Sequence, residues 1–419
     1  MNRWMRLPVP NLTTFFLVLV VLELILAGSG RMVEIGSITL RMILFIICTV
    51  SSLIVISIRL KINPTHGILI LSFTFSSAVG VMVGIFHDAP LSLILEDIKP
   101  LSYFFMLLFF YLSINSYERV KLVAWLFKFS ALILLVSYLG VLGLLKFGLI
   151  DFTTFYFRTS ETGEFFFRGT DGFFFYKGFL FLCVGFFFFW IDGNKWSKLI
   201  ALALLGGIVL TFTRGFIVAV GISFLLYLLS KSRKNAALLL VIAASIPLFI
   251  WGFSTAGSAR TDIDVSTQMR FTTLDEVLSS VTFWSIWVGN GFGVGVPSRV
   301  VHMEISYLEI FHKQGMLGLL FWGLLFFFLA ERFVKCLHRP TQRLANAFFW
   351  SSLMVVIQSF TNPFINNSIG MSVILISLVS LNILAQPTDL AHKNTVNTLG
   401  KRKKIRIPFM PPRIQGTVP

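Results

Sequence analysis

Seven cations stand out: Arg158, Arg168, Lys177, Arg214, Arg260, Arg270 and Arg299. His302, Glu304, Tyr307, Glu309 and His312 follow closely after the last of them. The planar guanidinium fork matches phosphate oxygens in pairs, so a group of arginines suggests an anionic ligand. A histidine or glutamate beside them can act as general base. Cations to grip a diphosphate and one base to activate a hydroxyl are the minimum equipment for moving a sugar off a lipid diphosphate. Arginines can stabilise that leaving group without a metal or other cofactor.

Other chemistry finds no motif. The chain has no zinc-binding helix pair, no nucleophile elbow and no phosphate-binding loop ending in Lys-Ser or Lys-Thr. "GNGFGVG" at 289–295 has spaced glycines, but an amphipathic helix rather than a strand precedes it, so it reads as a tight reversal. Cys48, Cys183 and Cys336 lack metal-ligand spacing and suggest no disulfide framework. His66, His87, His338 and His392 read as loop histidines, and Glu309, His312 and Lys313 as one exposed helix face. Lys128 and Glu23, each inside an apolar run, are expected to snorkel or to pair within the bundle.

The elements that must position these residues are membrane helices. The chain is 56% hydrophobic and only 13% charged. Its repeated apolar runs match the roughly 20 residues needed to cross a hydrocarbon core. About twelve helices are expected, over 12–28, 38–58, 66–86, 101–115, 121–142, 173–191, 197–212, 215–230, 236–254, 314–331, 345–360 and 364–385. The fold class is therefore all-α and polytopic: one membrane domain over 1–385 and a basic, disordered tail over 386–419. The first apolar run reads as an uncleaved helix rather than a signal peptide.

Charge orients the bundle. With the N-terminus inside, every inner segment is basic, from "MNRWMR" through "KSRKN" to "KRKKIR", while the outer segments carry slightly more acids than bases. The net charge of +16 is thus explained by orientation and by anionic lipid, not by nucleic acid. Arg214 then falls at an outer-leaflet turn between two helices, where the positive-inside rule disfavours it, and is expected to point into a cavity between helices. The long outer stretch 255–313 contains an amphipathic helix with Phe271, Leu274, Val277, Leu278, Val281, Trp284 and Trp287 on one face, suited to the membrane interface.

Three stretches carry a family resemblance: "TFTRGFIVAV", "GNGFGVG…HMEISYLEIFHKQGMLGLLFW" with Gly315 and Gly318, and, more weakly, "FRGTDGFFFYKGF". They resemble the O-antigen ligase and polymerase superfamily of bacterial envelope polysaccharide synthesis. The resemblance implies a GT-C-like, multi-pass glycosyltransferase of the bacterial inner membrane with its site facing the periplasm. Its substrate would be an undecaprenyl-diphosphate-linked oligosaccharide, and its partners membrane lipid and other envelope polysaccharide assembly proteins. Arg214 and Arg270 match places where family members set arginines against the diphosphate. Arg168 and Lys177 are expected to guide substrate, with Tyr307 nearby, whereas Arg158, Arg260 and Arg299 read as surface or lipid-headgroup contacts.

The pattern departs from the family at one point. Ligases typically carry His-Asn eleven residues before the glycine matching Gly315, and here Glu304 and Ile305 stand there. By that register Glu304 is the first choice of base and His302 the second. The two could share a site only on an extended segment, because on a helix they would point about 200° apart. The missing pair favours a polymerase over a ligase. A flippase or other transporter of the same lipid-linked sugars is the alternative of another class, though transporters place their charges nearer the midplane.

Overall fold

The computed structural model describes residues 12–31, 34–35, 38–59, 62–168, 173–231 and 260–386, with only backbone for 35, 59, 168 and 260–267. The expected helix 236–254, His392 and nearly all of the basic tail lie outside the described residues.

The chain runs through α1 (Leu12–Leu26), the strands β1 (Glu34–Ile35) and β2 (Ile38–Thr39), α2 (Leu40–Arg59), α3 (Pro64–Phe86), α4 (Leu91–Ser102), α5 (Met106–Ser113), α6 (Tyr117–Lys146) and α7 (Phe152–Ser160). It continues through β3 (Phe165–Arg168), β4 (Phe173–Tyr176), α8 (Leu180–Asp192), α9 (Lys195–Leu210), α10 (Arg214–Lys231), α11 (Arg260–Ser279), α12 (Phe283–Val288), α13 (Ser306–Cys336), α14 (Gln342–Gln358) and α15 (Ser368–Leu384). Among the described residues α2, α3, α6, α10 and α13 are long and apolar enough to cross a membrane, and α1 and α15 are shorter apolar helices. The architecture is that of an all-α membrane protein with two small antiparallel hairpins.

Helices that are apolar on every side belong inside a bundle. α8 and α15 show this: nearly every residue of each is buried. α8 packs on α6, α9 and α14, and α15 packs on α5, α13 and α14. Charges inside the bundle are paired. Glu23 of α1 and Arg41 of α2 form a buried ion pair, with Nε 2.9 Å from Oε2. Lys128 lies 2.9 Å from Asp192.

Several sequence expectations are corrected. The run 173–191 opens as a strand, because Phe173–Tyr176 pair with Phe165–Arg168 in register before α8 begins. The span expected at 101–115 is α5 preceded by a 3-10 turn at Tyr103–Phe105, and α4 precedes that turn. The single amphipathic helix at 271–287 is two helices. Ser280–Thr282 interrupt it, and Thr282 starts α12 with a capping box to Ser285. Phe271, Leu278, Trp284 and Trp287 remain exposed, but Val277 turns inward against Val296 and Met303. His66 is buried in the first turn of α3 rather than lying in a loop.

One junction governs the site. Gly315 interrupts α13 with φ 62° and ψ −155°, a backbone conformation suited to glycine. The interruption frees carbonyls that accept from N–H groups of the loop after α12 in place of helical partners. Asn290 N donates to His312 O at 2.7 Å, and Gly291 N to Lys313 O at 3.1 Å. Phe292 N then donates to Gly80 O of α3 at 2.9 Å. The glycine loop is thereby clamped between α3 and the broken point of α13.

Candidate active site

The short N-terminal limb of α13, before Gly315, and the non-helical segment ahead of it border a cavity of about 510 Å³. Arg270, Arg299, His302, Glu304, Glu309 and Lys177 line it, together with Asp97, Gln314, Asn362 and Asn366. Residues 301–305 are not helical, so the opposed directions that a helix would impose do not apply, and His302 and Glu304 both line the cavity.

Glu304 holds the two arginines together. Its Oε2 lies 2.6 Å from Arg270 Nε and its Oε1 lies 2.7 Å from Arg299 Nη2. Arg270 also donates to Thr361 O at 3.3 Å. α11 holds this group down through Glu276, which accepts from Ser298 N at 3.0 Å, and through Thr273, 3.0 Å from Ser298 Oγ.

His302 has a different partner. Its Nδ1 lies 3.3 Å from Glu309 Oε1. That oxygen also accepts from Lys313 Nζ at 2.9 Å, so the carboxylate acts as acceptor and Nδ1 carries the proton. Nε2 is left with no protein partner among the described residues, on a side chain that is 48% exposed. The Glu309 carboxylate beside it holds the imidazole above its ordinary pKa, outweighing burial, which acts the other way.

Glu309, His312 and Lys313 are buried rather than forming an exposed helix face. The reason is the Gly315 junction, which packs this limb against α4 and the glycine loop. Lys313 Nζ lies 2.7 Å from Asp97 Oδ1 and is also bonded to the Val301 carbonyl. Asp97 Oδ2 accepts from Gly293 N at 2.8 Å, and Glu309 Oε2 accepts from Asn366 Nδ2 at 2.6 Å. His312 Nδ1 lies 3.2 Å from Asn290 Nδ2 and ties the limb to the loop. Asp97, His302 and Glu309 bring their ligand atoms within 4.8 Å of one another, as a metal site would. The Lys313 ammonium already stands between the two carboxylates, where such an ion would sit.

The remaining expected site residues are placed as follows. Lys177, in the 3-10 turn that follows β4, lines the cavity 3.4 Å from Ser29 Oγ, and burial lowers its pKa. Arg214 begins α10 and is half-buried, and it is not among the cavity-lining residues. Its neighbours back the wall: Gly215 lies against Thr361, Gln358 and Asn362, and the Phe216 ring packs on those of Phe175 and Phe364. Tyr307 Oη donates to Val356 O at 2.8 Å, its ring meets Phe360, and it too is not among the lining residues. The side chain of Arg168 lies outside the described residues.

Sequence reasoning missed Asp97 and Asn366 and left Arg299, Glu309 and Lys313 on the surface, whereas Arg299 lines the cavity against Glu304. The available signal was a Glu and a Lys four residues apart, the Lys two residues before a glycine, which a solvated ion pair produces equally well.

No family model matches the chain. The chain is similar to an O-antigen polymerase of Shigella flexneri, 29% identical over 376 residues, which covers 87% of this chain and 93% of that relative. This likeness runs through most of both proteins and agrees with the resemblance that the three motifs quoted above carry.

Proposed function

We propose that this protein is a surface-polysaccharide polymerase, a membrane glycosyltransferase that joins lipid-diphosphate-linked repeat units. The observation that carries the reading is a single cavity walled by Arg270 and Arg299 on one side and by the His302–Glu309 pair on another. The relative in Shigella flexneri supports polymerisation as the overall reaction. The substrate is a glycan on an undecaprenyl diphosphate. The site faces the periplasm, in a bundle of about twelve spans with both termini in the cytoplasm, as the distribution of charge along the sequence favours.

In this mechanism His302 Nε2 takes the proton from a sugar hydroxyl of the acceptor unit. The hydroxyl oxygen forms a bond to the anomeric carbon of the donor glycan. The bond from that carbon to the phosphate oxygen breaks, and its electron pair leaves with the lipid diphosphate. Arg270 and Arg299 receive the growing negative charge, and the imidazolium then releases its proton to water. His302 is the better base because its carboxylate partner orients it and leaves Nε2 free. Glu304 has an arginine on each oxygen and serves as the anion that those arginines hold until a diphosphate displaces it. Arg214 enters the reading through its motif alone, and Lys177 guides substrate from the opposite wall.

The test is direct. Purified protein in detergent, given lipid-linked repeat units alone, lengthens the glycan. In cells, its loss leaves single repeat units on the surface. Lipid-linked polymer accumulating over a bare lipid A–core would instead identify a ligase, and no lengthening by the purified protein would favour a carrier.

A further inference from the structure

The mechanism above uses neither Lys313 nor Asp97, yet these two residues are the most deeply buried members of the ionic cluster behind His302. Lys313 is 2% exposed and Asp97 is 4% exposed. An ammonium has three donors, and here each has an acceptor: Asp97 Oδ1 at 2.7 Å, Glu309 Oε1 at 2.9 Å, and the Val301 carbonyl. The second oxygens are also engaged, Asp97 Oδ2 by Gly293 N and Glu309 Oε2 by Asn366 Nδ2. A buried network this fully satisfied is rigid.

We propose that Asp97 and Lys313 are positioning residues for His302, fixing both the place and the net charge of the carboxylate that holds its imidazole. The inference rests on His302 being the proton acceptor. Two arrangements support it. Lys313 ties Glu309 to the Val301 carbonyl, so the oxygen that orients the imidazole and the segment that carries it share one anchor. The charges also leave a remainder: two carboxylates and one ammonium carry one uncompensated negative charge, and His302 faces it, with Nδ1 3.3 Å from Glu309 and 4.0 Å from Asp97. An ionic cluster serving only stability is often no better than an apolar replacement. An unbalanced cluster ending on a half-exposed histidine has a use beyond packing.

The charged groups around His302 are Glu309 and Lys313 of α13, Asp97 of α4, Arg299 and Glu304 on its own segment, and Arg270 of α11 and Lys177 elsewhere in the cavity wall. Changing one member of the cluster therefore moves the proton affinity of His302 in a direction fixed by charge. Lys313→Met deepens the negative field and raises it. Asp97→Asn relieves the field and lowers it. The double variant restores the parent's net charge.

The experiment measures kcat/KM against pH for polymerisation of lipid-linked repeat units by the purified full-length protein and the three variants. Lys313→Met is expected to move the acidic limb up by about one pH unit and Asp97→Asn to move it down by a similar amount. The double variant is expected to return the limb towards the parent's position. A packing role would lower the rate at every pH and leave the limb in place, and unmoved limbs overturn the inference. Should Lys313→Met not be recovered folded, Asp97→Asn decides alone: a downward shift supports the proposal and no shift overturns it. His302→Ala separates the two layers. If it is inactive while the limbs stay put, only the positioning role falls; if it is active, the reading of His302 as base falls.

Discussion

His302 Nδ1 and Glu309 Oε1 lie 3.3 Å apart, joining a half-exposed imidazole on a non-helical segment to a buried carboxylate on the first turn of a helix. A carboxylate fixing the tautomer of a histidine whose other nitrogen is free is an arrangement suited to general-base catalysis. Its position beside two arginines is what turns an apolar bundle into a candidate enzyme.

The pair sets the pH dependence. His302 must be neutral to accept a proton, and Glu309 holds its pKa above the ordinary imidazole value. Activity is therefore expected to rise with pH, with its acidic half-point above about 6.5. His302→Ala should reduce kcat by a factor of roughly 10² to 10⁴ across the range. Rates of glycan lengthening between acidic and mildly alkaline pH check both statements.

Glu304 and the arginines give opposite expectations. Arg270→Ala and Arg299→Ala should each lower kcat/KM by about a hundredfold, as the loss of a charged transition-state contact does. Glu304→Gln keeps the shape and removes the competing anion, so it should retain at least about a tenth of the activity, with a KM no higher than the parent's. A loss from Glu304→Gln as deep as that from His302→Ala would return the role of base to Glu304.

The close approach of α3 to the glycine loop can be tested apart from chemistry. A Cβ on Gly84 would lie 2.1 Å from the Phe292 carbonyl oxygen, a backbone atom that cannot step aside. Gly84→Ala is expected to cost at least about 2 kcal/mol through overpacking. Gly140, in α6, has nothing within 4 Å of such an atom, and Gly140→Ala should be neutral or stabilising by up to about 1 kcal/mol. Thermal melting in detergent distinguishes the two, and equal effects would contradict the tight crossing.

The Glu23–Arg41 pair is the other buried ionic contact with a clear expectation. Removing one partner strands a charge, so Glu23→Leu should destabilise the protein by roughly 3–5 kcal/mol. The double variant Glu23→Leu with Arg41→Met should recover most of that loss. A double variant no better than the single would show that Arg41 matters chiefly through Ser368, 2.9 Å from its Nη1.

Much of the framework is legible along the chain because hydropathy and charge are local properties. The apolar runs now forming α2, α3, α6 and α10 match their expected spans within a few residues, apart from the longer ends of α6. What failed failed for non-local reasons. Phe173–Tyr176 has the composition of a membrane helix and became a strand because a matching phenylalanine-rich partner stood a few residues upstream. The stretch 271–287 has a good helical stripe and was broken by a threonine able to start a new helix.

The sequence alone determined an all-α bundle and an inventory of arginines with two possible bases on one segment. By register it ranked Glu304 ahead of His302, but it could not weigh their neighbours, by which the two candidates differ. Tertiary structure supplies the neighbours on which the proposed choice of His302 rests. It brought Asp97, 216 positions away in the chain, against Lys313 and turned Glu309 inward at the Gly315 break. It also spent both oxygens of Glu304 on arginines. Proton affinity and free lone pairs depend on what lies within a few ångströms, and that distance is set by packing rather than by order along the chain.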